Sequence, residues 1–178
     1  MSFLLLTDGA TTIHVAAVEP HAPAAARRAL ALLQAFAPPT VFLDLDASVT
    51  GQGFFHDAEL RAAGPGASLL APFVAARAWC QETGASCELL AAAWRPPRLG
   101  WLARRRLRRL AENGRGSFTD RAASLSPEAA AAFAARRALV AQALAGARRG
   151  GRGGVALLRA DTADAIVELA RARLRANP

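Results

Sequence analysis

The chain has 178 residues, 53% of them hydrophobic, and its 22 basic residues against 14 acidic ones give a formal net charge of +8. This hydrophobic content excludes a disordered chain, and no apolar run approaches the roughly 20 residues that a transmembrane helix needs. The two cysteines, Cys80 and Cys87, are too few for a disulfide framework, and the apolar N-terminus lacks the basic region of a signal peptide. We therefore expect one domain, residues 1–178, in the reducing cytoplasm.

The first half of the chain predicts a hairpin followed by a strand–helix–strand unit. The predicted elements are strands at 3–6, 11–18 and 40–45, and a helix between Pro23 and Pro38. Asp8-Gly9 is a hairpin turn signal between the first two strands. The run at 40–45 is almost continuously apolar, which is typical of a strand buried on both faces. We expect the crossover through this unit to be right-handed.

The second half predicts alternating helices and strands. After a loop at 48–66 with a short helical piece, the predicted elements are a helix from Ala71 to Glu82, a strand over Ala85–Leu90, an arginine-rich helix at 98–112, a helix from Ser126 to Arg149, a strand over Val155–Leu158 and a last helix ending near Ala176. Ser126-Pro127-Glu128 is a helix start, and Asp161 or Thr162 caps the last helix. The sequence predicts an α/β fold: a mostly parallel sheet with an N-terminal hairpin strand and helices packed around it.

Acidic side chains follow several of the predicted strands. Glu19 and His21 follow one strand, and Asp44 and Asp46 end the next. Parallel strands would place all four at one edge of the sheet, where Asp161 and Asp164, which follow the last strand, could join them. Carboxylates and an imidazole at one edge could hold a divalent metal ion. The alternative is structural: helix capping at Asp161, ordinary strand-end polarity at Asp44, and a histidine in a loop.

The predicted arginine-rich helix concentrates positive charge. Its apolar face carries Leu99, Ala103, Leu107 and Leu110, and the rest of its surface carries Arg104, Arg105, Arg108 and Arg109. This arrangement favours an anion-binding face for nucleic acid, phosphate or anionic lipid. The alternative is a solvated amphipathic helix in a chain whose arginine content reflects a GC-rich genome.

The order of elements and several short motifs resemble the TraB/PrgY (pheromone-shutdown) family, which is grouped with Tiki, ChaN-like and erythromycin-esterase-like proteins. The family's strand ending in Val-Glu-Leu-Asp is similar to Leu43-Asp44-Leu45-Asp46, and its Pro-Gly-Ala-Glu segment is similar to Pro65-Gly66-Ala67-Ser68. Its Gly-Ala-x-x-x-x-Leu strand resembles residues 84–90, and its Glu-Arg-Asp helix motif corresponds to Ala135-Arg136-Arg137.

The chain departs from that family at the residues that the resemblance assigns to catalysis. The two Gly-x-x-His elements of the family correspond to Ala16-Ala17-Val18-Glu19 and Arg159-Ala160-Asp161-Thr162, so both histidines are missing. The acids expected at Ser68 and Ala135 are missing too. Asp44 and Arg136 remain as catalytic candidates, with Glu19 and His21 as displaced substitutes. The resemblance therefore implies the family's fold together with a loss of its metal-dependent hydrolysis.

Three hypotheses follow. The leading one is a TraB-like domain that has lost hydrolase catalysis and binds a protein partner, a small anionic ligand or its own copy as a homo-oligomer. The second is a divergent metal-dependent hydrolase that uses Glu19, His21, Asp44 and Asp161. The third is an arginine-rich nucleic-acid-binding protein that acts through the basic helix.

Overall fold

The computed structural model describes residues 3–8, 11–19, 24–45, 71–95 and 127–176. The elements in chain order are β1 (Phe3–Asp8), β2 (Thr11–Val18), α1 (Ala25–Phe36), β3 (Thr40–Leu43), α2 (Ala71–Thr83), β4 (Ser86–Leu89), α3 (Pro127–Arg149), β5 (Gly154–Arg159) and α4 (Ala163–Ala176). The predicted α/β fold is confirmed. The predicted loop at 48–66 and the predicted basic helix at 98–112 lie outside the described residues.

The strands form one five-stranded sheet in the order β1-β2-β5-β3-β4. β1 pairs antiparallel with β2, which confirms the predicted hairpin, and the other three pairings are parallel. Val18 at the end of β2 pairs with Arg159 at the end of β5, and Leu43 at the end of β3 pairs with Leu157. The C-terminal ends of β2, β5 and β3 therefore lie side by side at one edge of the sheet, here called the carboxyl edge.

Two hydrophobic cores lie on opposite faces of the sheet. Val155 and Leu157 of β5 pack in the core that α1 and α2 cover, whereas Ala156 and Leu158 pack in the core that α3 and α4 cover. This two-residue alternation follows from strand geometry, and because both faces are covered every one of these side chains is apolar. β3 alternates in the same way, as predicted for a strand buried on both faces.

The order of the strands creates a switch in direction at β5. The chain runs from β2 through α1 to β3 and through α2 to β4, and it then returns through α3 to insert β5 between β2 and β3. When crossovers are right-handed, the helices of connections that move one way across the sheet lie on one face. The helices of connections that move the other way lie on the opposite face. The chain therefore leaves β5 toward one face and leaves β2 and β3 toward the other. Crevices that form at such points are where open α/β sheets bind ligands.

Backbone hydrogen bonds set the ends of α1 and of β3. α1 ends at Phe36, and the next residue, Ala37, has a left-handed conformation and donates its amide to the carbonyl of Leu33. Two prolines follow it. β3 was expected to continue through Leu45, but it ends at Leu43. The amide of Leu45 turns back to the carbonyl of Leu43 at 2.8 Å, and this turn takes it out of the sheet. Among the described helices, none combines the length and apolar character needed to cross a membrane.

Candidate functional site

The carboxyl edge brings polar side chains from three strands together, as the sequence predicts. Glu19 follows β2, Asp44 follows β3, and Arg159 is the last residue of β5 with Asp161 two positions later. The environments of these residues differ. Glu19 is exposed, Asp44 is completely buried, and the side chains of Arg159 and Asp161 are 21% and 17% exposed. Asp44 is therefore the centre of the site, and the others lie nearer to solvent.

Asp44 connects β3 to both β5 and α3. Its Oδ1 lies 2.8 Å from Nη1 of Arg136, and its backbone carbonyl accepts a 3.0 Å hydrogen bond from Nη2 of the same side chain. Its Oδ2 accepts a 3.3 Å hydrogen bond from the amide of Arg159, and its own amide donates to the carbonyl of Leu157 at 3.1 Å. Two polar groups of Asp44 thus contact Arg136 of α3, and the other two contact the backbone of β5.

Arg136 reaches Asp44 from the buried side of α3. The helix places Phe133 and Val140 one turn away on either side, and both are buried. The guanidinium of Arg136 lies over the ring of Trp94, 5.5 Å from its centroid. Trp94 is fixed in turn, because its Nε1 donates to the carbonyl of Ala132 at 3.2 Å and its ring contacts that of Phe133. Arg136 is therefore held by an aromatic ring as well as by Asp44.

The electrostatics of Asp44 reflect its burial. Complete removal from water raises the pKa of its carboxyl above the ordinary value, and the nearby guanidinium groups of Arg136 and Arg159 oppose that rise. A general base must reach a proton on its substrate, and a nucleophile must reach a substrate atom. Asp44 is fully buried and already bound to Arg136 and to an amide, so this geometry favours a structural ion pair over a catalytic group.

A second ion pair lies beside the first. Nε of Arg159 is 3.6 Å from Oδ1 of Asp161, which is longer than a hydrogen bond. α4 begins at Ala163, and Thr162 occupies the position before it, with its carbonyl accepting the amide of Ile166. Of the two expected caps, Thr162 therefore stands at the cap position, and the Asp161 carboxylate faces Arg159.

The described residues contain no group of three or more histidine, cysteine, aspartate or glutamate side chains that could hold a metal ion. In this part of the chain Asp44 forms an ion pair with Arg136, and Glu19 is exposed to solvent after the end of β2. The remaining candidates, His21 and the basic residues Arg104, Arg105, Arg108 and Arg109, lie outside the described residues. A metal site or a nucleic-acid site that uses them stays a prediction.

Two contributors to this site were missed in the sequence. In the sequence, Arg159 is named only within the segment that corresponds to a Gly-x-x-His element. An arginine directly at the end of a buried strand nevertheless indicates a polar side chain at the carboxyl edge. Trp94 was expected to be a packing anchor, and it is one, but its contact with Arg136 depends on an approach between distant segments that no local pattern indicates.

Comparison of the chain with protein-family models, with curated proteins and with solved structures finds no match.

Proposed function

We propose that this chain is a TraB-like α/β domain that has lost hydrolase chemistry and acts by binding a small anionic ligand, a phosphate or a carboxylate, at the carboxyl edge. The observation that carries the proposal is the mutual binding of Asp44 and Arg136 at 2.8 Å, with side chains 0% and 7% exposed. These are the two residues that the resemblance leaves as catalytic candidates. Because both are buried and are held to each other as an ion pair, neither is placed to activate water or to touch a substrate.

The anionic class of the ligand follows from what surrounds the crevice beside β5. The N-terminus of the 14-residue helix α4 lies there and carries a partial positive charge from the helix dipole. The guanidinium of Arg159 stands next to it, partly exposed, and guanidinium groups bind phosphates and carboxylates through two donors at once. The net charge of +8 would draw anions toward the protein in general.

Asp161 makes the proposal specific. Its carboxylate lies 3.6 Å from Nε of Arg159, which is close enough for an ion pair but too far for a hydrogen bond to that nitrogen. An incoming phosphate or carboxylate with better geometry would compete with Asp161 for Arg159. The ligand affinity should therefore depend on both residues, in opposite directions.

The test is calorimetric titration of the full chain with inorganic phosphate and with citrate at constant ionic strength. We expect saturable binding that Arg159→Gln weakens by roughly ten- to a hundredfold, which is the loss of one charge-assisted hydrogen-bonding group. This substitution retains the backbone amide that binds Asp44. We expect Asp161→Asn to tighten binding, because it removes the internal competitor.

Arg173→Gln is the matched control, since it removes the same charge from an exposed position in the last turn of α4. If Arg173→Gln weakens binding as much as Arg159→Gln does, attraction is nonspecific and the proposed site is wrong. Absence of saturable binding to either anion would also overturn the proposal. Hydrolysis of a phosphate ester or peptide that requires added Mn²⁺ or Zn²⁺ and is lost in Asp44→Asn, while the fold is retained, would favour the metal-dependent hydrolase instead.

A further inference from the structure

The two cysteines lie together on the far side of the sheet from Arg136. Cys80 is in the last turn of α2, and Cys87 is on the edge strand β4. Gly84 makes this meeting possible, because it takes a positive φ of 76° and donates its amide to the carbonyl of Cys80, which ends the helix and turns the chain directly into β4. The thiol of Cys80 donates to the backbone carbonyl of Ser86, the residue before Cys87, at 4.0 Å, and the two thiols are close enough to affect each other's ionisation.

A pocket of about 440 Å³ opens beside this pair. Its lining residues are Arg77, Cys80, Gln81, Ala85, Cys87 and Leu89. Cys80 is buried and Cys87 is half-buried, so the two sulfur atoms differ in their access to a molecule in the pocket. The pocket thus combines two thiols, one cationic side chain and one amide side chain.

The surroundings also make the two thiols unequal as acids. Burial raises the pKa of Cys80 to about 12, and the neighbouring Cys87 adds to this rise. Burial raises the pKa of Cys87 as well, and the charge of Glu88 adds to that rise, but the interaction with the Cys80 thiol and the charge of Arg77 act against it. Cys87 is therefore the first of the two to form a thiolate, and the thiolate is the form that attacks a disulfide.

We propose that Cys80 and Cys87 form a redox-active dithiol that exchanges with a small anionic disulfide bound in the pocket beside Arg77. Cys87 is the attacking residue because it is the more accessible of the two. Cys80 is the resolving residue because it lines the same pocket as Cys87 and its thiol reaches the carbonyl of Ser86, next to Cys87 in the chain. Arg77 lines the pocket and binds a carboxylate of the incoming disulfide.

The exchange proceeds in two balanced steps. The Cys87 thiolate attacks one sulfur of the small disulfide, so that a bond forms between Cys87 and that sulfur while the second half leaves as a thiolate. The Cys80 thiolate then attacks Cys87, which forms the Cys80–Cys87 disulfide and releases the first half as a second thiolate. Two electrons pass from the protein dithiol to the small disulfide, and the two protons lost from the cysteines go to the released thiolates.

The test uses the reduced full chain incubated with glutathione disulfide, followed by blocking of free thiols with N-ethylmaleimide and intact mass measurement. We expect a product lighter by two hydrogens that takes up no maleimide. In Cys80→Ser the reaction should stop at a mixed disulfide on Cys87. In Cys87→Ser the buried Cys80 should react much more slowly, by about tenfold or more, because it is the less accessible and less acidic thiol.

Arg77→Gln tests the role of charge in the pocket. We expect it to slow oxidation by glutathione disulfide by roughly tenfold, the lower end of what local electrostatic attraction gives. Oxidation by the uncharged 2-hydroxyethyl disulfide should slow less, because there Arg77 acts only by favouring the thiolate of Cys87. Arg173→Gln is the control of equal net charge on α4. A monofunctional trivalent phenylarsenical, which bridges two adjacent thiols, provides a measure of proximity that needs no oxidation; it should bind the native chain and neither serine variant.

Three results would overturn the proposal. One is uptake of two glutathiones by the native chain with no internal disulfide, because the thiols would then not be close enough to resolve. Another is faster modification of Cys80 than of Cys87 in the single-serine variants. The third is an equal effect of Arg77→Gln on the anionic and the uncharged disulfide. These outcomes are independent of anion binding at the carboxyl edge, which Arg159 tests.

Discussion

Arg136 and Asp44 are 92 residues apart in the chain, and two nitrogens of one guanidinium bind the carboxylate and the backbone carbonyl of the same aspartate. This two-point contact fastens α3 to the end of β3. The Asp44 carboxylate also accepts the amide of Arg159, so the same residue fastens β3 to the end of β5. The position where α/β enzymes commonly keep their reacting groups is occupied here by a buried connection between three elements.

Breaking this pair from one side should be strongly destabilising. Asp44→Asn preserves the shape of the side chain but leaves the Arg136 guanidinium buried without a counter-charge. We expect the free energy of unfolding to fall by about 3–5 kcal/mol, measured by urea denaturation followed by circular dichroism. In the double variant Asp44→Asn/Arg136→Met the loss should be smaller than the sum of the two single losses, because the uncompensated charge is gone.

An exposed ion pair in the same chain provides the control. Arg171 and Glu168 on α4 are 3.0 Å apart, and the Glu168 side chain is 68% exposed. Glu168→Gln should lower the free energy of unfolding by less than about 1 kcal/mol, because solvent screens this pair. If Asp44→Asn is no more harmful than Glu168→Gln, the buried pair does not stabilise the fold.

Much of the fold is encoded in local patterns. The apolar run at β3 predicts a strand covered on both faces, and Val41 and Phe42 do pack in opposite cores. Ser126-Pro127-Glu128 predicts the start of α3, which begins at Pro127. These features can be predicted from the sequence because a helix start or a buried strand depends on residues within a few positions of one another.

The arrangement of the site depends on distant segments and was harder to predict. The sequence places Asp44 at a strand end, where metal binding and ordinary polarity were both reasonable interpretations. Its complete burial arises because α3 covers that end and supplies Arg136, a residue that lies among alanines with no local sign of its partner. The insertion of β5 between β2 and β3, which brings Arg159 to Asp44, is likewise a property of the strand order.

Gly154 is required by a close approach of two strands. A β-carbon at this position would overlap the carbonyl oxygen of Thr40, which is backbone and has no freedom to rotate away. We expect Gly154→Ala to lower the free energy of unfolding by about 3 kcal/mol or more, because β3 and β5 would have to separate. Urea denaturation measures the change.

Gly146 is the matched control for that substitution. It lies in α3, and a β-carbon added there would meet no atom within 4 Å. Gly146→Ala should raise the free energy of unfolding by about 0.5–1 kcal/mol, since alanine loses less conformational freedom in a helix. If the two alanine variants change stability in the same direction, the contact between Gly154 and Thr40 is not the cause.

Two substitutions at Trp94 distinguish the contribution of its hydrogen bond from that of its aromatic ring to holding Arg136. Trp94→Phe removes the hydrogen bond from Nε1 to the carbonyl of Ala132 and retains an aromatic ring under the guanidinium. We expect it to lower the free energy of unfolding by about 1 kcal/mol. Trp94→Leu also removes the ring and should lower it by a further ~1 kcal/mol through loss of the cation–π contact. Equal stabilities of the Phe and Leu variants would show that the ring contributes nothing to holding Arg136.

The buried thiols make the stability of the reduced protein depend on alkaline pH. Burial raises the pKa of Cys80 from 9.0 to about 12, and it raises the pKa of Cys87 as well. Above pH 9 the unfolded chain loses these protons while the folded chain keeps them, so the unfolded chain binds fewer protons. The free energy of unfolding must then fall as pH rises from 9 toward 12, and this contribution is fully present below pH 9.

This chain is suited to detecting that effect, because it contains no lysine and no tyrosine, the side chains that ordinarily titrate near the same pH. Urea denaturation at pH 8, 9 and 10, in the presence of a reductant, should show a falling midpoint for the native chain. The variant Cys80→Ala/Cys87→Ser should show a nearly constant midpoint over the same range, because it lacks both thiols. An equal decline in both proteins would mean that the thiols are as free to ionise in the folded chain as in the unfolded one, which is incompatible with the burial of Cys80 between α2 and β4.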